Sequence, residues 1–248
     1  MTELQSLYQW LEKYIHTYYT DDKFVMERIL LKEVHSKRVA ESIAKLARQE
    51  KLTERQQILA EVIGLLHDIA RFRQVTQYRT FVDAESFDHG TVGAEILAET
   101  GILREFSFSL AEQDAITFAI IAHNKMLIPP TTPENELLAK MIRDADKLDI
   151  FRVLPPIQAD HNYAPLLIEQ LKTGGVLSYT DVKSLADKRL IRLSWFYDIN
   201  FDWTLRILLE EGHLDRQLSA LPDNEDCRII KATMQEYIDK RLKKDKRH

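Results

Sequence analysis

Six residues of two types carry the chemistry that this sequence suggests: His35, His67, Asp68, His89, His123 and Asp146. His67 and Asp68 stand side by side in ILAEVIGLLHDIA, residues 58–70, where Glu61 is the only other titratable group. An unpaired buried carboxylate is strongly unfavourable, so a partner must compensate Asp68. The other four also sit on apolar stretches. His35 aligns with Leu31 and Val39, and His123 closes AITFAIIAH in line with Ile116, Ala119 and Ile120. Asp146 follows Ile142 by one helical turn and Leu138 by two, and His89 opens a helix in FDHGTVGAEIL. Any one such histidine reads as a hydrogen-bonded core residue. Five separate segments repeating the pattern point instead to a shared ligand. Neutral imidazole nitrogens and carboxylate oxygens suit Mn²⁺, Fe²⁺ or Zn²⁺, and a cation would also compensate Asp68 and Asp146.

Adjacent helical residues point about 100° apart, so His67 and Asp68 share one ion only if Asp68 approaches from the flank or bridges to a second ion. His35, His67, Asp68 and Asp146 then form one site, and His89 and His123 complete a second with Asp68 between them. Two ions about 3.5–4 Å apart can clamp a phosphoryl group and hold a hydroxide. Basic residues lie close by in sequence. Arg71 follows His67 by one turn, Arg38 shares the face of His35, and Lys147 adjoins Asp146. Each could orient phosphate oxygens through charge-assisted bonds. Solvated helix surface is the plainer reading of the same residues.

In order, His35 … His67-Asp68 … Asp146 resembles the HD superfamily of metal-dependent phosphohydrolases over roughly residues 24–152. The closest likeness is to the subgroup with two extra histidines. HDIAR (67–71) is similar to its HDIGK motif, HGTVGA (89–94) to its H-x-x-x-G-A segment, and His123-Asn124 falls at its next histidine. RDADKLD (143–149) resembles the family's last metal aspartate followed by a basic residue. The resemblance implies an all-α HD-type multi-helix bundle. It implies one or two divalent ions (Mn²⁺, Fe²⁺, Ni²⁺, Co²⁺, Zn²⁺ or Mg²⁺) held by the six residues. It implies hydrolysis of a phosphate ester or phosphoanhydride of a nucleotide or related small phosphorylated metabolite, by attack of a metal-bound hydroxide. Asp68, Arg71 and Lys147 are then the catalytic residues, and Arg38, Arg71, Asn124 and Lys147 the substrate-binding ones. The GYP element of cyclic-di-GMP phosphodiesterases is absent, which disfavours that substrate. The HDxxED acid pair of guanosine tetraphosphate hydrolases is absent too, with Arg71-Phe72 in its place. The 5′-nucleotidase branch carries an acid where Arg71 stands. Two alternatives stay open: a diiron HD-type oxygenase, and a non-catalytic HD module that binds a nucleotide and signals through the C-terminal residues.

The elements that must position these residues read at helical period almost throughout. Helices are expected at 2–19, 23–49, from Thr53 as N-cap to about Ala70, 88–99 ending at Gly101, 109–123, and from Pro133 or Glu134 to about Phe151. Residues 71–87 read as an irregular loop from which Tyr78 and Arg79 could reach a substrate. Beyond Pro155–Pro156 come a short helix stopping at Gly174–Gly175, one long helix from about 180 to 211, and a last helix from about Asp223. That helix runs into RLKKDKRH, read as a solvated frayed end. The organisation is one all-α protein, a metal-binding core over 1–154 and a helical extension over 155–248 packed on it. Trp195, Phe196, Tyr197, Phe201 and Trp203 read as packing of that extension or as a surface for stacking a base. Asp144 and Asp149 read as surface pairs or caps. His16, His161, His213 and His248 lack a partner pattern, and Cys227 reads as inert.

Bulk composition narrows the function. In 248 residues, 45% are hydrophobic and 29% charged, as in ordinary globular proteins, while seven glycines and seven prolines favour long helices. A net charge of −5 gives no general basic surface for nucleic acid. One cysteine excludes an internal disulfide and a cysteine-based zinc site. No apolar run reaches membrane-spanning length, and no signal peptide is evident, so a cytoplasmic location is expected. A small phosphorylated substrate is the expected partner, without a membrane, and an oligomer is possible.

Overall fold

Polar side chains placed just ahead of apolar runs set where the helices begin. In a computed structural model describing residues 3–155, 157 and 160–244, Lys244 by its backbone alone, Asp22, Thr53, Asp88, Ser109 and Ser184 each accept a backbone N–H of the first turn. Thr53–Gln56 and Ser109–Glu112 form reciprocal capping boxes. The described residues are helical, with no strand among them. No described helix is long and apolar enough to cross a membrane.

Two compact units divide the chain, Met1–Asp149 and Ile150–His248. The first contains α1 (Glu3–His16), α2 (Lys23–Gln49), α3 (Glu54–Leu66), α4 (Ala70–Tyr78), α5 (His89–Thr100), α6 (Ile102–Glu105), α7 (Leu110–Ala122) and most of α8 (Pro133–Val153). At its centre, α3 buries Leu59, Ala60, Val62, Ile63, Leu65 and Leu66, and α1, α2 and α7 pack around it. Gly64 lets α2 approach α3, since a Cβ there would lie 2.8 Å from the Ala40 Cα and 2.7 Å from the Ile43 Cγ2. Gly90 does the same for α5 on α7, a Cβ there meeting the Ile120 carbonyl at 2.9 Å. These two close crossings bring His35 toward His67 and His89 toward His123.

Three expectations need correcting here. The helix expected to reach Ala70 ends at Leu66; residues 67–69 form a turn before α4. Bonds from Ile69 N to Leu66 O and from Arg71 N to Asp68 O tighten the chain there to i→i−3. The apolar run continues through this turn, which is why periodicity missed it. Residues 71–87 are therefore not a loop: α4 covers them to Tyr78, with Arg79 as a left-handed C-cap at φ 57°. Finally, Leu31 is 47% exposed, so the buried stripe of α2 around His35 runs through Ser36, Val39 and Ala40 instead.

The second unit holds α9 (Pro165–Thr173), α10 (Leu185–Ser194), α11 (Asp202–Glu210), α12 (His213–Ser219) and α13 (Glu225–Lys244), with α9 packed on α13. The single helix expected over 180–211 is broken by a 3₁₀ turn at Trp195–Asp198 and an extended stretch at 199–201. The break lets Phe196 bury itself fully and pack against Phe151 in a tilted pair, 5.0 Å between ring centroids, so this ring is core. His213 is buried between Glu211 and Arg216, and Cys227 is buried and free. Pro156, His248 and the tail beyond Lys244 lie outside the described residues.

Candidate metal centre

Five separate pieces of chain supply the site. α2 brings Lys32, His35 and Arg38, and the α3–α4 turn brings His67 and Asp68. His89 is the first residue of α5, His123 caps the end of α7, and α8 presents Asp146 and Asp149. Arg71 and Gln74 stand on α4, with Asp83 in the short 3₁₀ turn beyond it.

All four histidines are anchored through Nδ1. His67 Nδ1 lies 2.8 Å from the Gly64 carbonyl and His123 Nδ1 2.6 Å from the Ile120 carbonyl. His35 Nδ1 lies 2.6 Å from Asp149 Oδ2, and His89 Nδ1 2.6 Å from Asp83 Oδ2. Carbonyls and ionised carboxylates only accept, so each Nδ1 carries the proton and donates it. Each Nε2 is turned inward. These tautomers follow from the partners rather than from visible hydrogens.

The Nε2 atoms converge on two carboxylates. Asp146 Oδ1 is 3.1 Å from His35 Nε2 and 3.7 Å from His67 Nε2. Asp68 faces both halves of the site. Its Oδ2 lies 3.4 Å from His35 Nε2 and 3.5 Å from His67 Nε2. Its Oδ1 lies 3.5 Å from His89 Nε2 and 3.9 Å from His123 Nε2. Two groups with metal-ligand spacing result, His35–His67–Asp146 and His67–Asp68–His123.

Electrostatics make the case for a cation. His89 Nε2 and His123 Nε2 are 2.9 Å apart. Burial lowers the pKa of both rings; at His89 it outweighs the Asp83 bond, and at His123 it is reinforced by His89 and His67. With both Nδ1 atoms protonated, two lone pairs face each other with no proton between them. His35 Nε2 and His67 Nε2 are buried without a hydrogen-bond partner. Burial and the Lys32 ammonium push the His35 imidazole toward neutrality, but Asp146, Asp149 and Asp68 outweigh them and lift its pKa to about 10. Burial raises Asp68 as well, yet Lys32, His67, His35 and Arg71 hold its carboxyl well below the usual range. Asp146 is held well below its usual range against burial, by His35 and His67. The donor set thus fits divalent ions. His35, His67, Asp68 and Asp146 would hold one, and His89, His123 and Asp68 would face another.

Around this centre lies a layer of anchors. Arg71 Nη1 donates to Gln74 Oε1 (2.6 Å), the Phe81 carbonyl (2.7 Å) and Asp83 Oδ1 (2.9 Å), and Nε lies 3.3 Å from Asp68 Oδ1. Its Nη2 makes no bond to any described residue. Arg38 grips Asp149 through Nε at 2.6 Å and Nη2 at 3.1 Å. Asn124 Nδ2 donates to Asp83 Oδ2 at 3.1 Å and Asp88 Oδ1 at 3.3 Å. Lys147 is half-buried on α8 beside Asp146. Tyr78 is exposed against Phe87, and Arg79 pairs with Asp22.

Asp144 and Asp149, read as surface residues, are in fact fully buried. Asp149 lies one turn after Asp146 and shares its helix face, a signal that was available. Asp83 had none, because no periodic pattern runs through 79–88. Lys32, three residues before His35, also went unnoticed.

A buried centre of imidazoles and carboxylates inside a helical bundle is one that could hold a metal ion. Residues 33–150 match the family model of the HD domain, which supports an HD-superfamily protein through that stretch. Comparison with the curated proteins and with the solved structures gave no match.

Proposed function

We propose that this protein hydrolyses a phosphate ester or phosphoanhydride of a nucleotide or a related small phosphorylated metabolite. The observation that carries the reading is the convergence of four Nδ1-anchored imidazoles, each with its Nε2 turned inward, on Asp68 and Asp146. A bound divalent ion supplies Lewis acidity to the phosphoryl group and lowers the pKa of water. The chain's own residues do the rest. Asp68 presents one oxygen to each half of the site. Asp83, Asp149 and the Gly64 and Ile120 carbonyls fix the ring orientations. Arg71 is held rigid through Nε and Nη1 while Nη2 remains available, which suits an anionic oxygen and matches the charge that builds on phosphorus. Lys147 and Arg38 are its proposed partners in binding the substrate, with Asn124 beside them.

Metal analysis of protein purified without chelator tests this first, followed by a phosphate-release screen over nucleotides, dinucleotides and phospho-metabolites with Mn²⁺, Co²⁺, Ni²⁺ and Mg²⁺. We expect at least one transition ion per chain. Arg71→Ala should retain its metal and lose about 10²- to 10³-fold in turnover, the usual cost of one charge-stabilising contact. No phosphate release from any substrate, together with iron content and oxygen uptake, would replace hydrolysis by oxygen chemistry at the same ligands.

A further inference from the structure

Lys32 holds a position that a metal centre does not explain. Its Nζ lies 2.6 Å from Asp68 Oδ2, the oxygen that also faces His35 Nε2 and His67 Nε2. The side chain is 15% exposed against 3% for Asp68, so the ammonium enters from the mouth of the site. It lies 5.4 Å from the centre of the Phe81 ring, and the Arg71 guanidinium lies 5.6 Å from the same ring. An ammonium has donors and no lone pair, so Lys32 cannot ligate a metal. A divalent ion held by His35, His67 and Asp146 would need the same face of Asp68, and two cations on one carboxylate oxygen repel strongly in a buried site.

We propose that Lys32 is a placeholder cation. It neutralises Asp68 in the metal-free protein, is expelled when metal loads, and then meets the incoming substrate anion at the mouth. Its single charge therefore serves two partners in turn. Metal loading and anion binding are coupled, because the ammonium is freed for the anion only after the metal has taken Asp68. Lys32 is a positioning residue in the first state and an anion ligand in the second. The second half rests on the phosphohydrolase reading; the first does not.

The test uses the full chain stripped of metal, with Mn²⁺ and inorganic phosphate as probes. Lys32→Met keeps the apolar stem and removes the charge. It should bind Mn²⁺ about tenfold more tightly than the wild type, because a competing cation is gone. Loaded with Mn²⁺, it should bind inorganic phosphate about tenfold more weakly, having lost one charge-assisted contact. Unchanged or weaker Mn²⁺ affinity overturns the placeholder role, and unchanged phosphate affinity overturns the coupling. Should metal-free Lys32→Met fail to fold, amine labelling of the wild type read at Lys32 by mass spectrometry decides. Mn²⁺ should raise the labelling severalfold and added phosphate should lower it again, whereas labelling indifferent to Mn²⁺ overturns the proposal. Neither probe requires turnover, so an empty substrate screen counts against the phosphohydrolase reading and leaves the placeholder role of Lys32 standing.

Discussion

At the scale of single residues, the decisive fact is that every imidazole in the centre has one nitrogen committed. A free histidine chooses between two tautomers; here Asp149, Asp83 and two backbone carbonyls choose for it. Such partners commonly matter about 10- to 100-fold in metal affinity. Asp83→Ala should accordingly weaken one ion by about that factor, because it frees the His89 ring while leaving all six ligands in place. Mn²⁺ titration checks this, and full affinity at two sites would sink it. His35 gives a second outcome. Its pKa of about 10 means that it is protonated at neutral pH in the metal-free protein. A metal requires the neutral ring, so loading must expel a proton. Calorimetric titrations at pH 7.5 in buffers of different ionisation enthalpy should therefore report about one proton released for the ion held by His35. The sign for stability follows from the same shift. The raised pKa stabilises the metal-free fold fully below the unfolded value near 6.5, and that contribution disappears as pH rises through about 10.

At the scale of elements, the site depends on two close helix crossings and one interrupted helix. α2 reaches α3 only because residue 64 has no side chain. Gly64→Ala places a methyl group within 2.8 Å of backbone on α2 and cannot be absorbed by a flexible side-chain tip. A cost of about 1–3 kcal/mol is expected from overpacking a tight core. Metal affinity should fall in parallel, because His35 and His67 ride on the helices being separated. Urea unfolding with a Mn²⁺ titration reads both, and a wild-type midpoint would show that α2 and α3 have slack. The turn at 67–69 tightens the chain toward 3₁₀ geometry, in which adjacent residues point about 120° apart. The i→i−3 bonds at Ile69 and Arg71 tighten the turn there, and the Asp68 oxygens stand within 3.5 Å of His67 on one side and His89 on the other.

At the scale of the whole molecule, an ion bound at this centre would add to the stability of the unit Met1–Asp149. Its centre gathers ligands from α2, the α3–α4 turn, α5, α7 and α8, so an ion there ties together pieces that are far apart in sequence. A ligand at a hundred times its Kd stabilises by about 2.7 kcal/mol. For a unit of this size that corresponds to a shift of roughly 5–10 °C in Tm. Scanning calorimetry before and after chelation should show that drop, reversed by adding Mn²⁺. An unchanged transition would mean that Lys32 and the His35 proton already supply what the ion would, or that no ion binds.

The sequence alone determined the types of ligand, their order and the helices that carry them. His67, Asp68, His123 and Asp146 declared themselves by lying on apolar runs, and Thr53 and Gly101 marked helix ends that the structure reproduces. These signals are local: they depend on neighbours one or two turns away, which the spacing of residues fixes. Tertiary structure decided the remainder. His35 meets Asp149 across 114 residues of chain, and Lys32 meets Asp68 across 36. No period links such pairs, because their distances depend on how the helices cross and not on any helix taken singly. The same holds for the burial of Asp149, which bonds His35 and Arg38 of α2, contacts that a one-dimensional pattern of polar and apolar residues does not contain.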